Sequence, residues 1–132
     1  MPATIPESHL DLFQKKSLAY LATVLKNGSV QVNPVWCDFE DGRVIVNSVK
    51  GRQKDINMRR NPSVTLCIAD PENSFRYLEV RGEVEEITES GADAMIDRMA
   101  KRYMDVDTYP FHAPDQIRVN FLIRPDTVRA NG

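Results

Sequence analysis

Apolar residues in this chain fall mostly into short runs and strict alternations, a pattern that predicts strands over most of its length. Leu18–Leu25 is continuously apolar apart from Tyr20 and Thr23, as expected of a strand buried on both faces. Lys26-Asn27-Gly28-Ser29 then supplies the Asn-Gly pair that tight hairpins prefer. A second strand runs from Val30 to about Phe39 with Pro34 in its middle. Proline cannot donate to a ladder, so this strand is expected to be interrupted at Pro34 and to lie at an edge or a bulge. Glu40-Asp41-Gly42-Arg43 reads as a turn, and Val44–Val46 as the third strand. Val64–Ala69 makes a fourth, closed by Asp70-Pro71-Glu72-Asn73. In the fifth, Leu78, Val80 and Val84 alternate with Glu79, Arg81, Glu83 and Glu85; in the sixth, Ile117, Val119, Phe121 and Ile123 fall at every second position.

Three segments read as helices. Glu7–Lys16 follows Pro6, with Glu7 and Asp11 near its start and Lys15 and Lys16 at its end, as the helix dipole favours. Gly51–Arg60 is stopped by Asn61-Pro62, and Glu89–Tyr103 places Ala92, Ile96, Met99, Ala100 and Tyr103 on one face. Six short strands joined by hairpins, with a few peripheral helices, predict a mainly β protein built as a small antiparallel barrel, not a parallel βαβ fold.

Composition narrows the possible roles. With 132 residues, 42% apolar and 27% charged, residues 1–132 read as one domain able to fold without a disulfide or structural metal. Seventeen Lys plus Arg against nineteen Asp plus Glu leave a net charge of −2, which argues against a general nucleic-acid surface. Cys37 and Cys67 stand thirty positions apart with no neighbouring Cys or His, so they read as free thiols in a reducing compartment. No basic-then-apolar leader and no apolar stretch of the ~20 residues needed to span a bilayer is present, so the expectation is a cytoplasmic protein without membrane contact. Ser17, Ser29 and Ser63 lack the setting of a hydrolase nucleophile. His9 and His112 read as surface or capping residues. Seven acids and one base between Glu79 and Asp97 read as a solvated face, and Met95, Met99 and Tyr103 as helix packing.

One segment breaks the charge balance. Residues 50–60 hold five bases and one acid, a charge of +4, which leaves −6 on the rest of the chain. Asn47 and Ser48 end the preceding strand, Gly51 permits close approach to the backbone, and Arg52 and Lys54 fall in the first turns of the helix. Free N–H groups at a helix start together with two bases make an anion site. A solvated basic face is the other reading, although bases at a helix N-terminus oppose the dipole at ~0.3–1 kcal/mol each. Arg59 and Arg60 lie at the favourable end. Spacing alone leaves both readings open.

Asn47-Ser48 through Gly51-Arg52-Gln53-Lys54-Asp55, then Asn57-Met58-Arg59-Arg60-Asn61-Pro62, resembles the phosphate-binding segment of the pyridoxamine 5′-phosphate oxidase-like flavin-binding split barrels. Phe75-Arg76-Tyr77-Leu78-Glu79-Val80-Arg81-Gly82 resembles the next block of that family, and Ile87-Thr88-Glu89 with Gly91-Ala92-Asp93 is similar to its lead into the third helix. The short length and Tyr109-Pro110-Phe111 are most similar to the branch that uses the deazaflavin coenzyme F420. The resemblance implies a six-stranded split β-barrel that forms a homodimer, with cofactor sites at the interface. It implies that Asn47, Ser48, Arg52 and Lys54 meet the cofactor phosphate or tail, with Lys50, Gly51, Gln53 and Asn57 beside them. The ring would lie along Asn33-Pro34-Val35-Trp36, and Arg76 and Tyr77 of the second chain would close the site.

Gln53 stands where the oxidases of this family usually carry a second phosphate-binding arginine, and the sequence ends at Gly132, before their substrate-holding segment. Oxidation of pyridoxamine phosphate is therefore not the expected reaction. The expected one is hydride transfer from reduced F420 to a conjugated small-molecule acceptor. An FMN-dependent flavin reductase or oxidase is the alternative, and a non-catalytic binder of flavin, haem or another tetrapyrrole is a third.

Overall fold

Tight turns set the architecture. The Leu25 N–H donates to the Ser29 carbonyl at 2.8 Å around Gly28, whose φ is 89°, and Asp41 (φ 54°) with Gly42 (φ 79°) reverses the chain a second time. The computed structural model describes residues 3–132. After a 3₁₀ helix over Glu7–Phe13 come β1 (Ala19–Val24), β2 (Val30–Val35), β3 (Cys37–Glu40), β4 (Arg43–Val49), α1 (Gln53–Arg60), β5 (Ser63–Asp70), β6 (Asn73–Thr88), α2 (Ala92–Met104) and β7 (Arg118–Asn131). The strands form one antiparallel sheet in the order β2-β1-β5-β6-β7-β4-β3. Its two edge strands, β2 and β3, are separated in sequence only by Trp36, so the sheet must curl until its edges meet. The result is a split barrel.

The strand count corrects the expected six to seven, because the second strand breaks into β2 and β3. The break falls at Trp36, not at Pro34. Pro34 stays in register opposite Tyr20 on the edge strand β2, where a residue without an N–H is tolerated. Strand β1 is not buried on both faces: Ala19, Leu21 and Thr23 point inward, whereas Leu18 and Tyr20 are exposed. The expected first helix is a 3₁₀ helix that ends at Phe13, not Lys16. Its buried His9 and Leu12 are three residues apart, the repeat of that tighter helix. His9 is consequently interior, with Nε2 3.1 Å from the Asn131 carbonyl oxygen, and is not a surface residue. Ile117 lies outside β7 and is exposed.

Two hydrophobic clusters lie on either side of β4. Val44 and Val46 face the barrel interior with Leu21, Leu66, Leu78, Phe121 and Ile123. Ile45 points the other way, onto Met95, Ile96 and Met99 of α2. Helix α2 thus lies outside the barrel and covers β4 and β7.

At the end of β5 the buried Asp70 gathers the Glu72 N–H at 2.9 Å, Arg76 at 2.8 Å and Lys15 at 3.4 Å. Arg76 also binds Asp11 at 2.6 Å, tying the 3₁₀ helix to the sheet. The Glu72 N–H first, then the Arg76 guanidinium, hold the Asp70 carboxyl at a pKa of about 2. A carboxyl with a folded pKa below its unfolded one stabilises the fold above the unfolded value, and that stability is lost as pH falls. The urea midpoint is therefore expected to drop as pH falls from about 4 to about 2, and Asp70→Asn to flatten that drop. An equally steep acid loss in the variant would contradict the assignment.

Candidate functional site

The join between β2 and β3 leaves a cavity of ≈ 290 Å³. Pro34, Val35 and Trp36 form one wall, Ile96 and Met99 of α2 another, and Leu18 and Tyr109 complete the apolar part. Asn47 and Ser48 from the end of β4, with Arg52 and Lys54 from the start of α1, make the polar end. Seven of the residues singled out in the sequence thus share one cavity: Pro34, Val35, Trp36, Asn47, Ser48, Arg52 and Lys54.

Local geometry explains why the two bases point there. Gly51 has φ 94°, a conformation that favours glycine, and turns the chain out of β4 into α1. Helix α1 starts at Gln53, two residues later than expected, with Arg52 as its extended N-cap residue. Asp55 is the only acid of the basic segment, and it is already engaged: Oδ2 accepts the Gly51 N–H at 2.8 Å and Oδ1 the Arg59 Nε at 2.7 Å. Arg52 and Lys54 therefore keep no carboxylate partner among the described residues.

A third cation joins them that sequence reasoning missed. Arg118 opens β7, is 7% exposed, and has no ion-pair partner among the described residues. Its Nη1 donates to Asn47 Oδ1 at 3.2 Å, and its guanidinium lies over the Tyr109 ring at 4.8 Å. Alternation puts Arg118 on the face of β7 opposite Val119 and Phe121, and α2 and the Tyr109 ring cover that face. The effect is felt at Lys54, whose pKa is lowered by burial and further by the charges of Arg52 and Arg118. Close by, the Ser48 Oγ is buried without any hydrogen-bond partner. A buried charge without a counter-charge and a buried hydroxyl without a partner each cost stability, unless a ligand satisfies them. Three cations and one unsatisfied donor at one end, with an aromatic and aliphatic wall at the other, fit a flat ring bearing a phosphate.

The other singled-out residues hold the frame. Asn47, though in the cavity wall, is also part of that frame: its Nδ2 donates to the Ala92 carbonyl and to Asn120 Oδ1, both at 2.8 Å, while its Oδ1 accepts from Arg118. Asn57 is buried and donates to Thr23 Oγ1 at 3.1 Å, tying α1 to β1, while Gln53 donates to Asn57 at 2.8 Å within the helix. Lys50 is exposed and lies 3.5 Å from Glu89. Asn33 sits on the edge strand opposite Leu21, and Tyr77 on β6 opposite Ala69. Arg76 is held by Asp11 and Asp70. None of these last six lines the cavity within one chain.

Trp36 is fixed by stacking on Tyr103 at 5.0 Å between ring centroids, and Tyr109 meets it edge-on at 6.1 Å. Beside it, burial pushes the Cys37 thiol up to about 12, which makes it an inert sulfur. Cys37 and Cys67 are both free thiols, and no cluster that could hold a metal exists among the described residues. No described helix is long and apolar enough to cross a membrane.

The family model for pyridoxamine 5′-phosphate oxidase matches residues 5–132. No curated protein matches the chain. Among solved structures, the chain is similar to an F420 reductase, with 32% identity over 95% of this chain and 98% of that one and a TM-score of 0.81. It is also similar to the conserved hypothetical protein Rv2991 from Mycobacterium tuberculosis, with 20% identity over 98% and 86% of the two chains and a TM-score of 0.77. General Stress Protein 26 from Bacillus anthracis shares 20% identity over 91% and 88%, with a TM-score of 0.69. The last two likenesses are of fold.

Proposed function

The chain belongs to the pyridoxamine 5′-phosphate oxidase family, a family of flavin-binding oxidoreductases, and from that premise we propose that it is a reductase using the deazaflavin coenzyme F420. The single observation that carries this reading is that Arg52, Lys54 and the unsatisfied Ser48 hydroxyl line one end of an aromatic cavity without a carboxylate, with the buried Arg118 behind them on Asn47 and Tyr109. Similarity to an F420 reductase at 32% identity favours the deazaflavin over FMN.

In this reading Arg52 and Lys54 hold the phosphate from the surface side, Arg118 from the interior, and the Ser48 Oγ donates the hydrogen bond it otherwise lacks. Val35 and Trp36 lie along the ring, and the backbone of Pro34 to Trp36, where the strand leaves the ladder, faces its polar edge. Met99, Ile96 and Leu18 keep water from the ring. Bound in reduced form, the deazaflavin supplies the hydride, so the protein needs to bind, orient and exclude water rather than provide an acid–base pair. A conjugated, electron-poor small molecule is the acceptor.

The active form is a homodimer. Tyr20, Val30 and Val32 are 43%, 61% and 56% exposed on β1 and the open edge strand β2, an apolar face that a second copy would cover. Tyr77 of the second chain then reaches the site, whereas Arg76 enters the dimer with its charge already paired. Sedimentation is expected to give twice the 15.0 kDa chain mass, and a monomer would contradict this assembly.

Charge-assisted bonds contribute about 1.5–3 kcal/mol, so Arg52→Ala and Lys54→Ala are each expected to weaken F420 binding by ~10-fold or more. Titration of wild type and variants with F420 and FMN side by side checks this. Tight FMN binding without F420 binding would overturn the deazaflavin assignment, and unchanged affinity in the double variant would overturn the cation site.

A further inference from the structure

Residues 105–117, between α2 and β7, carry no strand or helix, yet their path over the cavity is fixed at one carboxylate. Asp97 Oδ1 accepts the backbone N–H of Tyr109 at 2.9 Å and lies 2.7 Å from His112 Nε2. Asp97 does not itself line the cavity, which its neighbours Ile96 and Met99 and its partner Tyr109 do. Between these two anchor points the Tyr109 ring is pinned from several sides. Trp36 meets it edge-on at 6.1 Å, Phe111 at 5.6 Å and His112 at 5.5 Å, while the Arg118 guanidinium stacks over it at 4.8 Å.

The ring of one loop residue thus lies on the buried Arg118, and Tyr109 itself lines the cavity. Phe111 is largely exposed beyond Tyr109, on the solvent side. Stacking alone holds a ring loosely, because an aromatic contact has a broad minimum. Two hydrogen bonds to one carboxylate oxygen fix the backbone on both sides of that ring.

We propose that Tyr109 retains the bound ligand in this cavity and that Asp97 is its positioning residue, setting loop 105–117 through the Tyr109 N–H and His112. The inference rests on the cofactor reading above and extends it to ligand release. Phosphate-bearing flavins and deazaflavins are the ligand class, since their anionic end faces Arg118. Tyr109 acts as a contact made in the bound state and not as a barrier to entry, so its loss raises the release rate more than it changes association.

Trp36 is the only tryptophan of the chain and lies in the cavity wall, so its emission reports binding directly. Stopped-flow release of F420, and of FMN, is measured for wild type, Asp97→Ala, Asp97→Asn and Tyr109→Ala. Asp97→Ala is expected to speed release about tenfold with association changed less than about twofold. Asp97→Asn keeps an oxygen for the Tyr109 N–H and is expected to restore most of the wild-type rate. Tyr109→Ala is expected to speed release as much, and adding Asp97→Ala to it to bring no further change. A lowered melting temperature with unchanged release in Asp97→Ala, or unchanged release in Tyr109→Ala, would overturn the proposal while leaving the cofactor site standing. Wild-type protein that binds neither ligand would overturn both.

Discussion

One residue, Trp36, stands between the two edges of the sheet, and the rest of the molecule depends on that constraint. Strand β2 pairs with β1 alone and β3 with β4 alone, so the segment they share must leave one ladder before it joins the other. A sheet whose first and last strands are covalently continuous cannot lie flat. Where the chain crosses from edge to edge its backbone is out of the ladder, and a gap opens beside it. The cavity occupies that gap, and the end of β4 and the start of α1 supply its floor. The barrel and its site therefore arise from the same break in a single strand.

Electrostatics distinguish this gap from the rest of the surface. Elsewhere the interior and half-buried charges are paired: Arg59 with Asp55, Arg76 with Asp11 and Asp70, Arg98 and Arg102 with Asp38. At the cavity Arg118 is buried, Lys54 half-buried and Arg52 at the rim, and the nearest acid, Asp55, is already bound to Gly51 and Arg59. A fold that neutralises its charges so consistently elsewhere leaves these three uncompensated, and burial first, then repulsion by the charges of Arg52 and Arg118, lowers the pKa of Lys54. An anionic ligand removes that repulsion and gains from it, so the imbalance that costs stability in the free protein becomes binding energy.

Much of this was legible in the sequence because local chemistry decides it. Asn27-Gly28 and Asp41-Gly42 turn where their backbone preferences require, and Leu78, Val80 and Val84 point inward as their alternation predicts. The basic segment and its Gly51 turn locate the polar end of the cavity. The break at Trp36 was misplaced to Pro34 because proline tolerance depends on whether a strand is an edge, and that is decided by distant pairing. Arg118 was not legible for the same reason: alternation sorts residues into two faces, but which face is covered depends on where α2 packs. The side chains of Asn57 and Arg76, which the resemblance places near the ligand, are bonded within one chain to Thr23, Gln53, Asp11 and Asp70, and Thr23, Asp11 and Asp70 among these partners are set by the fold and not by local sequence.

The central claim is that uncompensated cations hold an anion beside Trp36. Its most direct test is F420 titration followed by Trp36 emission, repeated in increasing inorganic phosphate at constant ionic strength. Competition for the same cations predicts quenching on binding, with a half-saturation concentration that rises steadily with phosphate. Saturation that is indifferent to phosphate, or binding that leaves Trp36 emission unchanged, would contradict the account.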